Sequence, residues 1–292
     1  MEEVVKRLGD LFENAVRKSC GDEVGSIYSS GIDSALVTLV ASRHCKVTAY
    51  TVGGEGSEDL KYSRKSAELF EFPIKFIEID EKKVEEILPD LIKIVGNTDP
   101  LKVSVGVPMY FAAKAAKEDG LKVVLSGQGG DELFGGYNRY LAHASKKDYG
   151  ALKKAMDGDV STAYEDNLDR DMAIFKAFDI DLRFPYMDKA FGDYVMSLPY
   201  EMKVCEVGEE GCEFDCIDES CGKKYVRKYV QRKLGKELGL PDFILGRKKK
   251  AAQYGSESEK IINRIAKTKG FKNKADAAGR KDYVKMYLES LL

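Results

Sequence analysis

Two short runs and one cluster hold the residues whose types and spacing could do chemistry. The first run is Ser29-Ser30-Gly31-Ile32-Asp33-Ser34, placed between a short apolar stretch at 24–28 and an apolar helical pattern from Ala35. Small residues there let the backbone approach an anion, and hydroxyls and free N–H groups at a helix start bind phosphate oxygens. Asp33 inside such a loop repels phosphate unless it holds a metal between them. The plain alternative is a strand-to-helix turn capped by Asp33 or Ser34. The second run, residues 125–137, holds five glycines in ten residues around Asp131-Glu132. Each glycine loses much backbone freedom on folding, so the run points to a strand-end carboxylate facing a metal-bridged ligand, and Leu133-Phe134 argues for burial. The cluster is Cys205, Cys212, Cys216 and Cys221, within 17 residues at spacing C-x6-C-x3-C-x4-C.

Other chemistries are absent. Neither G-x4-G-K-[ST] nor G-x-G-x-x-G occurs, and no H-E-x-x-H. The two histidines, His44 and His143, stand beside no Gly-framed serine, which leaves them structural roles.

The elements that must position these runs follow from periodicity. Residues 2–18 read as an amphipathic helix. Strands are expected at 24–28, 46–52, 74–79 and 123–125, with helices at 35–42, 60–70, 84–95 and 109–117 between them. Such alternation implies a parallel α/β sheet covered on both faces. Beyond residue 138 the strand signals fade, and 149–157, 160–178, 188–197, 223–238, 256–267 and 280–291 read as helical. The expectation is one domain over 1–292, with an α/β nucleotide-binding half (1–137) and a mainly helical half (138–292) carrying a Cys-rich insertion (205–221).

Composition bounds the rest. The chain has 292 residues, 43% hydrophobic and 33% charged, with 47 Lys+Arg against 49 Asp+Glu. A net charge of −2 speaks against a dedicated nucleic-acid or anionic-membrane binder. No apolar run nears the roughly 20 residues of a membrane span, and no signal peptide opens the chain. A cytoplasmic location is expected. In that compartment the cysteines point to a zinc site, an iron–sulfur cluster, two local disulfides or four unrelated thiols.

The runs carry a resemblance. Ser30-Gly31-Ile32-Asp33-Ser34 resembles the pyrophosphate-binding loop of the PP-loop ATP pyrophosphatases, whose sheet is of the adenine nucleotide alpha hydrolase-like type. The run 126–137, S-G-Q-G-G-D-E-L-F-G-G-Y, is similar to the signature of the synthetase domain of asparagine synthetases and β-lactam synthetase. Further on, residues 181–188 resemble that family's E-x-R-x-P-[FY]-x-D element, and Lys224-Tyr225-Val226-Arg227 its Lys-to-Arg helix start, which ends in [LV]-R. Leu240-Pro241 and Arg247-Lys248-Lys249 resemble its L-P and R-x-K elements. The resemblance implies ATP-dependent activation of a carboxylate as an acyl-adenylate, loss of pyrophosphate, and attack by an amine to give an amide and AMP. It assigns Ser29, Ser30, Gly31, Asp33, Ser34 and Gly127 to the nucleotide, Val52 and Gly53 to adenine, Asp33 and Asp131 to Mg²⁺, and Lys249 to the adenylation transition state.

Three departures shape the expectation. The pyrophosphate loop is reached by residue 29, which leaves no room for a preceding glutaminase domain; ammonia, free or from a separate subunit, is the expected donor. Gln128 stands where relatives carry Glu or Tyr facing the amine, and can orient a nucleophile but not deprotonate it. Asp181 replaces the glutamate of E-x-R. The leading expectation is ammonia-dependent asparagine synthesis from aspartate, in a chain that could pair as a homodimer. A PP-loop enzyme adenylating a base in tRNA, or a silent nucleotide-binding module, is the alternative.

Overall fold

The computed structural model describes residues 1–292 apart from the side chain of Asp166. Its centre is a five-stranded parallel sheet in the order β3-β2-β1-β4-β5. The strands are β1 (Glu23–Ile27), β2 (Lys46–Gly53), β3 (Ile74–Glu78), β4 (Val123–Leu125) and β5 (Asp181–Arg183). In register, Gly25 lies between Thr48 of β2 and Val124 of β4. The chain winds outward from β1 to β2 and β3, then returns to place β4 on the other side of β1. The order therefore reverses between β1 and β4, and loops leaving their carboxyl ends diverge into a crevice.

Helices α1 (Glu2–Ser19), α2 (Ile32–Ala41) and α3 (Glu58–Ala67) are followed by α4 (Glu81–Val95) and α5 (Pro100–Glu118). Next come α6 (Gly130–Phe134), α7 (Arg139–Ser145), α8 (Tyr149–Ala163), α9 (Asp169–Ala177), α10 (Lys189–Ser197) and α11 (Tyr229–Glu237). One core gathers Phe12, Leu36, Val40, Phe191 and Leu234 from α1, α2, α10 and α11. The other gathers Leu88, Leu91, Val107, Ala112 and Phe175 from α4, α5 and α9. Buried aromatic side chains tie the site's supports together: Phe12 packs on Tyr186 and Phe191 with ring centroids 5.0 and 5.2 Å apart. Phe134 meets Tyr186 at 6.2 Å, so the Gly-rich run is anchored, as its Leu133-Phe134 pair implied.

Helix α5 starts nine residues before the apolar periodicity suggests. Asp99 caps it, accepting from the Leu101 N–H at 2.7 Å, and Pro100 fits the first turn, where an N–H is not needed. Pro108 lies inside the helix and cannot bond the Ser104 carbonyl. The buried Ser258 hydroxyl donates to that carbonyl at 2.6 Å instead. The freed acceptor is thus satisfied from another helix, Ser258–Thr268.

Two expectations for the second half are corrected. The main sheet takes its fifth strand, β5, from beyond residue 138, so the sheet is not confined to 1–137. Residues 223–227 are strand, not helix: β8 (Lys223–Arg227) lies between β6 (Val204–Glu206) and β7 (Asp218–Ser220) in an antiparallel sheet. Its partners are drawn from the cysteine insertion, β6 at its start and β7 near its end, and such pairing leaves no local trace in periodicity.

Candidate active site

The crevice between β1 and β4 opens into a cavity of about 510 Å³. On one side the chain leaves β1 through Ser29, Ser30 and Gly31 into α2. Gly31 occupies the cap position of α2 and no side chain satisfies the helix's first N–H groups, whereas Ser57, Asp80, Asp99 and Asp188 cap α3, α4, α5 and α10. Those donors stay free for an anion. The Ser29 and Ser34 hydroxyls lie 3.2 Å apart at the mouth of this turn. Ser30 has a φ of +57°, uncommon for a side-chain-bearing residue, and its buried hydroxyl bonds Ser63 and Ser66 of α3 at 3.1 and 2.8 Å. The loop is held in an unfavourable conformation from behind.

On the other side Gly127 leaves β4. A Cβ there would lie 2.7 Å from the Ser34 amide nitrogen, so glycine is required for the two loops to approach. The chain then turns into α6, which carries Asp131 in its first turn.

Two carboxylates converge. Asp33 and Asp131 both contact the Lys228 ammonium, Asp131 at 2.6 Å, and Lys249 approaches the other Asp131 oxygen at 2.6 Å. Gln231 donates to the second Asp33 oxygen at 2.9 Å and to the Tyr186 hydroxyl at 2.8 Å. Burial alone would raise the Asp131 carboxyl, but Lys228 and Lys249 overcome it and hold it well below the usual carboxylate range. For Lys249, burial acts downward and Asp131 more than reverses it, so the ammonium stays protonated. Arg247 fastens this wall, donating to the Ser29 carbonyl and to Asp59 at 2.7 Å while lying 4.4 Å over the Tyr62 ring.

The pair Asp33 and Asp131 fits Mg²⁺, which is bound through one or two carboxylates together with substrate phosphates. Among the described residues no group of three His, Cys, Asp or Glu side chains gathers around a metal position.

The sequence pattern of the asparagine synthase family matches residues 7–159 and 147–284. The chain belongs to the asparagine synthase family. It is 38% identical over 290 residues to a putative glutamine-hydrolyzing asparagine synthetase 1 of Methanocaldococcus jannaschii, covering 94% of this chain and 53% of that protein. It is 27% identical over 276 residues to a probable glutamine-hydrolyzing asparagine synthetase of Dictyostelium discoideum, covering 87% of this chain and 47% of that one. The chain thus spans about half the length of the curated relatives it matches. Among solved structures it is similar to the NMN synthetase of Francisella tularensis, at 13% identity and a TM-score of 0.47, covering 99% of this chain and 92% of that one.

Of the positions the asparagine synthase family motifs single out, Ser29, Gly31, Asp33, Ser34, Val52, Gly127, Gln128, Asp131 and Lys249 line the cavity. Ser30 and Gly53 do not: Ser30 is turned to α3, and Gly53 is packed so close that a Cβ would overlap the Ser57 side chain. Asp181 lies elsewhere. It begins β5, at the strand end remote from the crevice, is exposed, and accepts from Arg183 at 2.7 Å. Gln128 is occupied, its Nε2 donating to the buried Asp171 at 3.1 Å.

Sequence reading missed Lys228, Gln231 and Arg170, which also meet at this cavity or at Asp33. Lys228 sits one residue past the Lys-to-Arg element at 224–227 with φ +59°, and only the turn from β8 into α11 aims it at Asp33.

Of the readings open for the insertion's four cysteines, the structure shows separate thiols: all six cysteines of the chain are free, and among the described residues no metal-holding group gathers. Cys205 and Cys212 line a second cavity, Cys216 is buried with its thiol toward the Leu245 carbonyl, and Cys221 is exposed beside Ser145. Between 212 and 221 the chain forms β7 and reverses at Cys221, φ +50°, which carries that thiol away from the rest. Cys20 and Cys45 are neighbours: burial, then the hydrogen bond to Cys45, pushes the Cys20 thiol up to about 12.

Proposed function

We propose that this chain is an ATP-dependent, AMP-forming carbon–nitrogen ligase that activates the side-chain carboxylate of aspartate and transfers it to ammonia, forming asparagine. The convergence of Asp33 and Asp131 on one buried ammonium, beside the uncapped start of α2 at the sheet's switch point, carries this reading.

The triphosphate of ATP would meet the start of α2 and its base the side of the cavity lined by Tyr28, Tyr50 and Val52. Mg²⁺, when bound, neutralises charge gathering on the departing pyrophosphate. Asp33 and Asp131 are the residues to hold it, and α2's free N–H groups with the Ser29 and Ser34 hydroxyls receive phosphate oxygens. The substrate carboxylate oxygen attacks the α-phosphorus, the bond from that phosphorus to the β-bridging oxygen breaks, and pyrophosphate leaves. Lys249, kept protonated beside Asp131, offsets negative charge at the reacting phosphorus. Ammonia then attacks the acyl carbon, AMP leaves with the acyl–oxygen bond pair, and the nitrogen loses a proton to water. Gln128, held by Asp171, shapes the acceptor end and takes no proton.

Pyrophosphate release measured with ATP, Mg²⁺, aspartate and ammonium tests the reading, with asparagine and AMP forming in equal amounts. Release that requires tRNA, or ATP binding without release under any of these additions, overturns it. Replacing ammonium by glutamine in the same assay identifies the nitrogen source.

A further inference from the structure

Arg170, on α9, has no part in the chemistry above, yet it lines the same cavity. Its side chain is 5% exposed. Its Nε donates to Asp171 Oδ1 at 2.8 Å and Nη1 reaches Asn167 Oδ1 at 3.5 Å. Nη2 is buried and has no partner among the described residues. A buried charged donor left unpaired is costly, and proteins retain one where something else completes it. Asp171 cannot do so: one oxygen is taken by Nε and the other by Gln128. The chain Gln128–Asp171–Arg170 therefore fixes the guanidinium plane with one nitrogen turned loose.

A complementary vacancy in hydrogen bonding belongs to another residue lining the same cavity. Glu132 is 4% exposed, its Oε1 accepts from the Tyr137 hydroxyl at 2.6 Å, and its Oε2 is buried with no hydrogen-bond partner among the described residues. An unfilled guanidinium donor and an unfilled carboxylate acceptor match the α-carboxylate and α-ammonium of an amino acid. Triphosphate is provided for elsewhere, at α2, Lys228 and Lys249.

We propose that Arg170 is a specificity-determining residue of the acceptor subsite, its free Nη2 taking the carboxylate of a dicarboxylic amino acid that is not activated, with Glu132 receiving the ammonium. This rests on the ligase reading, and deepens it by assigning the substrate's second charge.

The test compares aspartate with β-alanine, which is aspartate without its α-carboxylate, in the wild type and in Arg170→Lys and Arg170→Gln. Pyrophosphate release reports turnover. Calorimetry separately reports binding of a non-hydrolysable ATP analogue and then of aspartate or glutamate to the chain. Wild type should favour aspartate over β-alanine by about 10- to 100-fold, the range of one hydrogen bond to a charged group. Arg170→Lys keeps a cation against the buried Asp171, so it guards against misfolding in Arg170→Gln. It should raise the aspartate KM by a similar factor, collapse the preference over β-alanine, and leave nucleotide affinity within about twofold. An unchanged preference in Arg170→Lys, failure of both dicarboxylic amino acids to bind the wild type, or weakened nucleotide binding with acceptor binding intact overturns the proposal. Loss of aspartate binding in Arg170→Lys, where wild type binds it but releases no pyrophosphate, sustains this inference and sinks the ligase reading instead.

Discussion

Asp131→Asn separates the electrostatic role of this carboxylate from its place in the fold. Asp131 is 14% exposed and contacts two ammonium groups at 2.6 Å each. Breaking a buried ion pair by removing one partner costs about 3–5 kcal/mol when a lone charge is left behind. Here neither lysine is stranded: Lys228 keeps Asp33, and the Lys249 side chain is 21% exposed and reaches water. Asparagine keeps the shape and can accept one hydrogen bond. The cost should therefore fall to about 1–3 kcal/mol. For a chain of this length that lowers the melting temperature by roughly 2–6 °C. The variant should stay folded at 25 °C, with unchanged far-ultraviolet circular dichroism. Pyrophosphate release should nonetheless drop by about 10²–10³ or more, because a carboxylate that would hold Mg²⁺ against the departing pyrophosphate is lost. A variant that melts in this range and turns over within about threefold of wild type refutes the assignment. A drop far beyond 6 °C refutes the claim that Asp33 and solvent compensate the two lysines.

Three further outcomes follow. Lys203 is buried, 5.0 Å from the Tyr200 ring and 3.7 Å from the Met196 sulfur, and burial lowers its ammonium to about 8. Its folded value lies below the ordinary one near 10.4, so the charged form is disfavoured in the fold; stability from this group is lowest below about pH 8 and rises as pH climbs toward 10.4. Lys203→Met should be more stable than wild type at pH 7, by about 3 kcal/mol at most, with the difference shrinking above pH 8; equal urea midpoints at pH 7 would argue against it. Gly127→Ala places a methyl against the Ser34 amide and should weaken nucleotide binding at least tenfold while costing about 1–3 kcal/mol; unchanged calorimetric affinity would mean the two loops need not approach. All six cysteines should titrate as thiols, with Cys221 alkylated first, because it is exposed and hydrogen bonds from Ser145 and Ser220 lower its thiol, and buried Cys216 among the last; stoichiometric zinc or iron in freshly purified protein contradicts this.

The strands of the main sheet were legible wherever an apolar run ended in small residues, as at 24–28 and 46–52. The loop residues Ser29, Asp33, Gly127 and Asp131 were legible for the same reason: a loop that approaches an anion has few residue types available. Strand β5, Asp181-Leu182-Arg183, holds a single apolar residue and carries too little pattern to announce itself, whereas the equally short β4 is wholly apolar; Asp181 was assigned to the site by motif but begins its strand at the end remote from the crevice. The spacing of the four cysteines could not choose between a shared site and separate thiols, because it says nothing of a chain reversal at Cys221. Arg170 and Lys228 were illegible for a different reason: a buried cation differs from a surface one only in what surrounds it, and that comes from distant elements.

The pairing of charges shows why the two halves cannot be treated as separable. Residues 1–137 contribute three largely buried carboxylates that are ion-paired in the crevice, Asp33, Asp59 and Asp131. Their cations are Lys228, Arg247 and Lys249, all from the far end of the chain. Without that end, each carboxylate would meet either open water or an unpaired interior, and an unpaired buried charge costs several kcal/mol, comparable with the whole stability of a domain when counted three times. The same arrangement serves the chemistry. A nucleotide bearing several negative charges can enter only where these carboxylates are offset, and Lys228, Arg247 and Lys249 offset them only when the C-terminal residues have closed over β1 and β4. Folding of the second half and formation of the anion site are thus one event.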